Sequence, residues 1–278
     1  MISDGDERTP DDSRLALALA LAREGGQQAR GAGRGTHVAW KGPGDRVTDV
    51  DLAVESLLVA RIRATFPEDG IVSEERFRID PGAREFVWVI DPLDGTNNYA
   101  LGIPCYTVAI GILRAGQPHA GVVHDPNTGF TCWALRGHGA FAGARRLALE
   151  GRPLDAASNI ALRVPLDPAL TPVVRPWLSR HKFRGFGSVA LHLAYAAVGG
   201  LDLVLDHKAT LWDLAGGAAI LLEAGGCLTD PRDRPLFPPA AAAFRGAAMP
   251  FVGGNRRAHA EAVAACRRVL DVGDGAGS

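Results

Sequence analysis

Apolar residues Leu15, Ala18, Leu19 and Ala22 recur at helical spacing and predict a first helix over 12–30. A glycine-rich link at 31–35 and a short strand lead to a second helix over 49–65, which Thr48 and Asp49 are placed to start. After a turn at Pro67-Glu68-Asp69-Gly70, apolar runs predict strands at 71–73, 86–90, 105–113 and 118–124. Arg114-Ala115-Gly116-Gln117 fits a hairpin between the last two, and two short strands, 130–135 and 140–142, flank Gly137-His138-Gly139. Beyond 150 the pattern changes to alternating strand and helix: a helix at 189–198, an apolar strand at 203–205, a helix at 213–223 stopped by Gly225-Gly226, and a closing helix at 259–270. The alanine-rich run 238–250, bracketed by prolines, reads as loop. This mixture of α and β elements implies layered sheets and helices. It divides the chain into a frayed tail at 1–11, an α+β half at 12–150, an α/β half at 151–271 and a short disordered tail at 272–278.

Composition narrows the class. The 278 residues are 47% hydrophobic and 22% charged with a formal net charge of −1, ordinary values for a globular protein and no general recommendation for nucleic acid. No apolar run reaches the length of a membrane span, and the acidic, polar start is unlike a secretory signal. Four cysteines without a C-x-x-C pair read as reduced thiols, so a cytoplasmic protein is expected. Eight histidines lack paired ligand spacing, and no zinc site is assigned.

The chemistry concentrates where the strand at 86–90 runs into Asp91-Pro92-Leu93-Asp94-Gly95-Thr96. Two carboxylates three residues apart on a proline-stiffened backbone favour a hard divalent cation, which typically takes one or two carboxylates plus substrate phosphate. Gly95 permits a conformation or close approach that a side chain would block, and free amides at the start of a following helix suit phosphate. The phosphatase motif D-x-D-G-T does not fit, because Pro92 stands where its nucleophilic aspartate would be. Three further segments carry carboxylates: Asp51 and Glu55 one helical turn apart, Glu74-Glu75 at the end of a short strand, and Asp213 at the start of an apolar helix. Taken singly, these read as a solvated helix face, surface charge and a helix cap.

Taken together they resemble the inositol monophosphatase family, a group of Mg²⁺-dependent, lithium-sensitive phosphatases. D-P-[IL]-D-G-T-x-N is complete from Asp91 through Asn98. Lys41 to Glu55 is similar to K-x-x-x-D-x-V-T-x-x-D-x-x-x-E, Ser73-Glu74-Glu75 to G-E-E with Ser for Gly, and Trp212 to Gly226 to W-D-x-A-[AG]-G…E-A-G-G. The matches follow the family's order and span roughly residues 13–265.

The resemblance implies an α-β-α-β-α layered sandwich of the inositol monophosphatase and fructose-1,6-bisphosphatase type. It implies a phosphomonoesterase using two to three Mg²⁺ ions and metal-activated water. Glu74, Asp91 and the Leu93 carbonyl would hold a first ion; Asp91, Asp94 and Asp213 a second; Glu74 and waters a third. Thr96 and Asp51 would orient and deprotonate the attacking water, and the amides of Gly95 and Thr96 would hold phosphate. Gly187, Ser188, Val189 and Asp206 would meet the rest of the substrate. Inositol monophosphate is the first expectation. Fructose 1,6-bisphosphate, histidinol phosphate and 3′-phosphoadenosine 5′-phosphate share the metal core. Lithium inhibition and a homodimer are further implications, and no membrane or nucleic-acid partner is expected. A different class, a protein acting through a protein partner, is the competing reading; the complete carboxylate set stands against it.

Overall fold

Two helices precede the large sheet, and both start on caps. The computed structural model describes residues 12–32, 37–42, 45–76 and 84–275; the tail at 1–11, residues 33–35 of the glycine-rich link and residues 276–278 lie outside the described residues. Helix α1 (Ser13–Gly31) starts on Asp12, whose carboxylate accepts from the amides of Arg14 and Leu15. A hairpin of β1 (Val38–Gly42) and β2 (Asp45–Thr48) leads into α2 (Asp49–Thr65), capped by Thr48 as its sequence predicts.

A seven-stranded sheet follows, in sequential order. It comprises β3 (Gly70–Ser73), β4 (Phe86–Asp94), β5 (Thr107–Arg114), β6 (Gln117–His124), β7 (Thr131–Leu135), β8 (Gly139–Ala142) and β9 (Arg145–Leu147). Only β3 and β4 run parallel; the other neighbours are antiparallel. A short helix, α3 (Thr96–Ala100), leaves β4 at the motif.

The second sheet has five strands in the order β11-β10-β12-β14-β13. These are β10 (Asn159–Leu162), β11 (Lys182–Arg184), β12 (Leu203–Asp206), β13 (Cys227–Thr229) and β14 (Phe251–Gly254). The helices of this half are α4 (Thr171–Leu178), α5 (Val189–Ala197), α6 (Leu211–Glu223) and α7 (Arg256–Gly275). Helix α7 runs past 272, where the sequence predicts a tail: Ala262, Val263 and Cys266 anchor its inner face to the second sheet, and the helix continues beyond that anchored stretch.

Alternation along the strands sorts the core into layers. Trp88 and Ile90 of β4 face α1 and α2, packing with Leu15, Leu58 and Ile62. Val87 and Val89 face the opposite way, onto α5 and α6, whose other side meets Val204 and Phe251 of the second sheet. Helices α4 and α7 cover that sheet's outer face through Val173, Trp177 and Ala262. The order is helix, sheet, helix, sheet, helix, the expected layered sandwich.

The contact between α6 and the large sheet is unusually close. Gly111 of β5 pairs directly with Gly121 of β6, and both present bare backbone to α6. A Cβ on Gly121 would sit 2.2 Å from the Gly216 carbonyl oxygen, and one on Gly111 would sit 2.5 Å from the Ala215 Cβ. The helix backbone therefore rests on the sheet backbone.

Candidate active site

The parity that points Val87 and Val89 toward the middle layer also points Asp91 there, two residues on. The strand does not stop at residue 90 as the sequence suggests. It continues to Asp94, because β5 supplies partners on both sides of an irregularity: Asp91 pairs with Ala109 and Asp94 with Thr107. Pro92, which has no amide hydrogen to donate, and Leu93 form the bulge between them. Asp94 is thereby turned to the same side as Asp91. Gly95 then adopts φ 107°, and a Cβ there would come within 2.9 Å of the Cys105 carbonyl oxygen.

Asp213 arrives from the other half. It is not the cap of α6 but the third residue of the helix, where its Oδ2 accepts from the Thr210 amide at 2.7 Å. Asp91, Asp94 and Asp213 each bring a carboxylate oxygen within 4.8 Å of the others. Burial and mutual repulsion disfavour the charged forms. Asp91 is pushed well above the usual carboxylate range by desolvation, then by the charges of Glu74, Asp94 and Asp213. Asp213 is raised likewise by desolvation and by Asp94 and Glu74. Desolvation raises Asp94 to about 6, against hydrogen bonds from Ser188 and Ala190 that pull the other way. Glu74 lies at the end of β3, close enough for its charge to act on all three.

A second group of residues adjoins this cluster. Asp51, fully buried on α2, accepts from the Thr48 amide at 2.8 Å and from the Thr48 hydroxyl. Its other oxygen faces the Thr96 hydroxyl at 2.8 Å, and that hydroxyl also lies 3.0 Å from the Leu93 carbonyl oxygen. Glu55, one turn further along α2, accepts from the amides of Glu75 and Arg76 and so fixes the turn that carries Glu74.

A family model described as the inositol monophosphatase family matches residues 11–270. The chain belongs to that family. Among relatives, the inositol-1-monophosphatase of Mesorhizobium japonicum is 34% identical over 199 residues, covering 69% of this chain and 75% of the relative. A protein named Nus factor SuhB from Pasteurella multocida is 33% identical over 225 residues, covering 78% of this chain and 84% of the relative. Among solved structures, the inositol monophosphatase of Thermotoga maritima superposes with a TM-score of 0.82 at 28% identity, over 94% of this chain and 99% of that one. Membership in the inositol monophosphatase family supports a metal-dependent phosphatase, and the acidic cluster is one that could hold a metal ion.

The donor set fits a divalent cation. It is all oxygen, as hard cations require. Among the described residues, no cationic side chain hydrogen-bonds to Asp91, Asp94 or Asp213; their donors there are neutral amides and a hydroxyl.

The sequence-predicted substrate residues are placed differently from the metal candidates. The Ser188 hydroxyl donates to Asp94 Oδ2 at 2.7 Å and accepts from the Leu191 amide, and the Ala190 amide donates to the same Asp94 oxygen at 2.6 Å. The Val189 amide also bonds Asp94, and its side chain is buried in the middle layer. The start of α5 therefore serves to hold Asp94. The Val189 amide, one of the predicted substrate contacts, thus already has an acceptor. Asp206 is buried, with Oδ1 accepting from the amides of Lys208 and Ala209, each at 2.8 Å.

Sequence reasoning passes over Asn98. Its amide nitrogen donates to the Cys105 carbonyl at 2.7 Å and to the Phe186 carbonyl at 2.6 Å, tying the motif to the segment that ends in Gly187. Gly187 itself, at φ 71°, packs so tightly on this amide that a Cβ would approach it to 2.6 Å. His192 braces the same segment: burial lowers it to about 4, leaving a neutral ring whose Nε2 accepts from the Phe186 amide. The only sequence hint of these contacts was the presence of Asn98 in the motif string.

A pH dependence follows for the metal-free protein. Asp94 is raised from 3.8 to about 6. Between these values the native state holds a proton that the unfolded chain has released, so stability falls as pH rises through the window. Asp91 and Asp213 are shifted in the same direction. Thermal melts in chelator should show a lower Tm at pH 7.5 than at pH 5 from these groups. Saturating Mg²⁺ should raise Tm more at the higher pH, since binding stabilises the deprotonated native state. A Mg²⁺-induced rise that shrank with pH would contradict the cluster as the binding site.

Proposed function

We propose that this protein is a Mg²⁺-dependent phosphomonoesterase acting on a small sugar or polyol phosphate, with inositol monophosphate as the first candidate. The observation that carries the reading is the Asp91-Asp94-Asp213 cluster, with Asp91 and Asp94 buried and Asp213 half-buried, set beside the Thr96-Asp51 pair. Glu74, Asp91, Asp94 and Asp213, with the Leu93 carbonyl, would hold two to three ions. When bound, Mg²⁺ neutralises phosphate charge, lowers the pKa of water and stabilises the leaving alkoxide.

The chain's own residues supply position and proton transfer. The Thr96 hydroxyl has one hydrogen and lies against Asp51 Oδ1 at 2.8 Å. A water on its open side can give a proton to Thr96 Oγ as Thr96 passes its own to Asp51. Asp51 is fixed for that task by its two bonds from Thr48. The amides of Gly95 and Thr96 begin α3 and would meet phosphate oxygens. Thr96→Val keeps the shape but removes this proton path, and kcat should fall by about 10²–10⁴-fold. An unchanged kcat with Mg²⁺ saturating would remove Thr96 from the mechanism.

Phosphate release from inositol 1-phosphate, fructose 1,6-bisphosphate, histidinol phosphate and 3′-phosphoadenosine 5′-phosphate, each with Mg²⁺ and with chelator, tests the reading. Metal-dependent release with one preferred compound supports it and names the branch. Inhibition by lithium and a homodimer in solution belong to the same proposal, as does action in the cytoplasm. Among the described residues, no helix is long and apolar enough to cross a membrane. The relatives named Nus factor SuhB favour a second reading, action through a macromolecular partner. Folded protein that releases no phosphate from any compound would favour it.

A further inference from the structure

Arg163 follows the last residue of β10, and Asp206 is the last residue of β12. The two strands are parallel neighbours in register, Leu162 beside Leu205, and the Arg163 amide donates to the Leu205 carbonyl at 3.1 Å. Both side chains therefore emerge together at the carboxyl ends of parallel strands, where open α/β sheets receive ligands. Asp213 lies in the first turn of α6, seven residues after Asp206. The Arg163 charge reaches that carboxylate, and it also acts on His192 under the Asp94-holding segment. Arg163 thus sits at the strand ends of the second sheet, within electrostatic range of Asp213.

Its pairing is incomplete. The nearest contact is one nitrogen at 3.6 Å from Asp206 Oδ2, beyond hydrogen-bonding distance, and the side chain is 38% exposed. Other arginines that face well-buried aspartates behave differently. Arg14 grips Asp69 with two bonds of 2.7 and 2.9 Å, and Arg152 grips Asp202 with two of 2.5 and 2.9 Å. Arg163 makes no side-chain hydrogen bond among the described residues. A fork of five donors is left open at the strand ends, and its geometry matches a carboxylate or phosphate. Asp206 meanwhile has one oxygen in a turn and the other screened by this cation.

Resting on the phosphatase chemistry of that reading but setting aside its first candidate, inositol monophosphate, we propose that Arg163 selects substrates whose leaving group carries a second anion, a carboxylate or a further phosphate, over those whose leaving group is a neutral polyol. The phosphate to be cleaved sits at the cluster, and the second anion reaches across to the guanidinium. Asp206 keeps Arg163 turned toward the site as a positioning residue.

Two matched pairs of compounds test this: 2-phosphoglycerate against glycerol 2-phosphate, and inositol 1,4-bisphosphate against inositol 1-phosphate. Initial rates with Mg²⁺ are taken for the parent protein and for Arg163→Gln, with p-nitrophenyl phosphate as a further substrate and a thermal melt of each protein. The parent should prefer the anionic member of at least one pair, and the pair that shows it distinguishes carboxylate from phosphate. In Arg163→Gln the ratio of kcat/KM within that pair should fall by about tenfold or more, mainly through KM, as loss of a charged hydrogen bond predicts. Asp206→Asn, which retains an acceptor for the Lys208 and Ala209 amides, should lower the same ratio by a smaller factor. Equal handling of both members by the parent, or an unchanged ratio in a folded Arg163→Gln, overturns the assignment and leaves the phosphatase intact. If no compound is hydrolysed, p-nitrophenyl phosphate included, the phosphatase reading fails and this assignment fails with it.

Discussion

Asp91→Asn is expected to cut Mg²⁺-dependent turnover by about 10²–10³-fold or more, while the metal-free variant melts at or above the temperature of the parent. Both parts come from the same geometry. Asp91 shares its site with Asp94 and Asp213, all within 4.8 Å, and desolvation and these neighbours push it well above the normal range. In the absence of a cation, its ionisation works against folding. Asparagine removes that charge but keeps an oxygen for the Leu93 amide, which now bonds Asp91 Oδ1 at 3.0 Å. The bulge at Pro92-Leu93 should therefore survive. With Mg²⁺ the order reverses, because the parent gains binding energy that the variant lacks. The measurement is a pair of melts, in chelator and in Mg²⁺, beside the kinetic assay. A variant that unfolds in chelator, or turns over normally in Mg²⁺, contradicts the assignment.

Gly121→Ala is expected to destabilise the protein by about 3 kcal/mol or more. The added Cβ would lie 2.2 Å from the Gly216 carbonyl oxygen and 2.9 Å from the Ala219 Cβ. The first of these is backbone and cannot rotate away. Strand β6 is held by β5 on one side and β7 on the other, so the strain falls on α6. Because α6 carries Asp213, loss of activity should exceed what the fraction unfolded explains. Urea unfolding followed by tryptophan fluorescence gives the stability, and kcat measured well below the midpoint gives the excess. Gly31→Ala is the control: among the described residues nothing lies within 4 Å of its Cβ position, and a change of a few tenths of a kcal/mol is expected. Equal effects from the two substitutions would mean that the close contact does not position α6.

Much of the architecture was legible in the sequence, for reasons that can be named. Helix α2 has a capping threonine and a clear start, and β5 and β6 are long apolar runs joined by a tight turn, so local signals suffice. Strands β9, β11 and β13 have three residues each, and no period can be read from so few. Helix α4 carries Pro176 inside it, which argues against a helix until its packing through Val173 and Trp177 is known. The site divides in the same way. The carboxylates were legible because the motif is contiguous and dense. The true extent of β4 was not, because the pairing of Asp94 with Thr107 is a long-range fact. Ser188 looked free for substrate because its partner, Asp94, lies 94 positions away in sequence. Arg163 carried no motif at all; only the register of β10 against β12 brings it beside Asp206.

The middle helix layer bears on how the molecule comes apart. Helices α5 and α6 bury one side against Val89 and Val123 of the large sheet and the other against Val204 and Phe251 of the smaller one. Cut from its partner, either half would expose a broad apolar face to water. The halves are thus mutual solvents for the same pair of helices, and amides of β5 and β12 should exchange with deuterium by one common opening event. A ligand bound at the carboxylates would slow that event in both sheets at once, including in strands that never touch it.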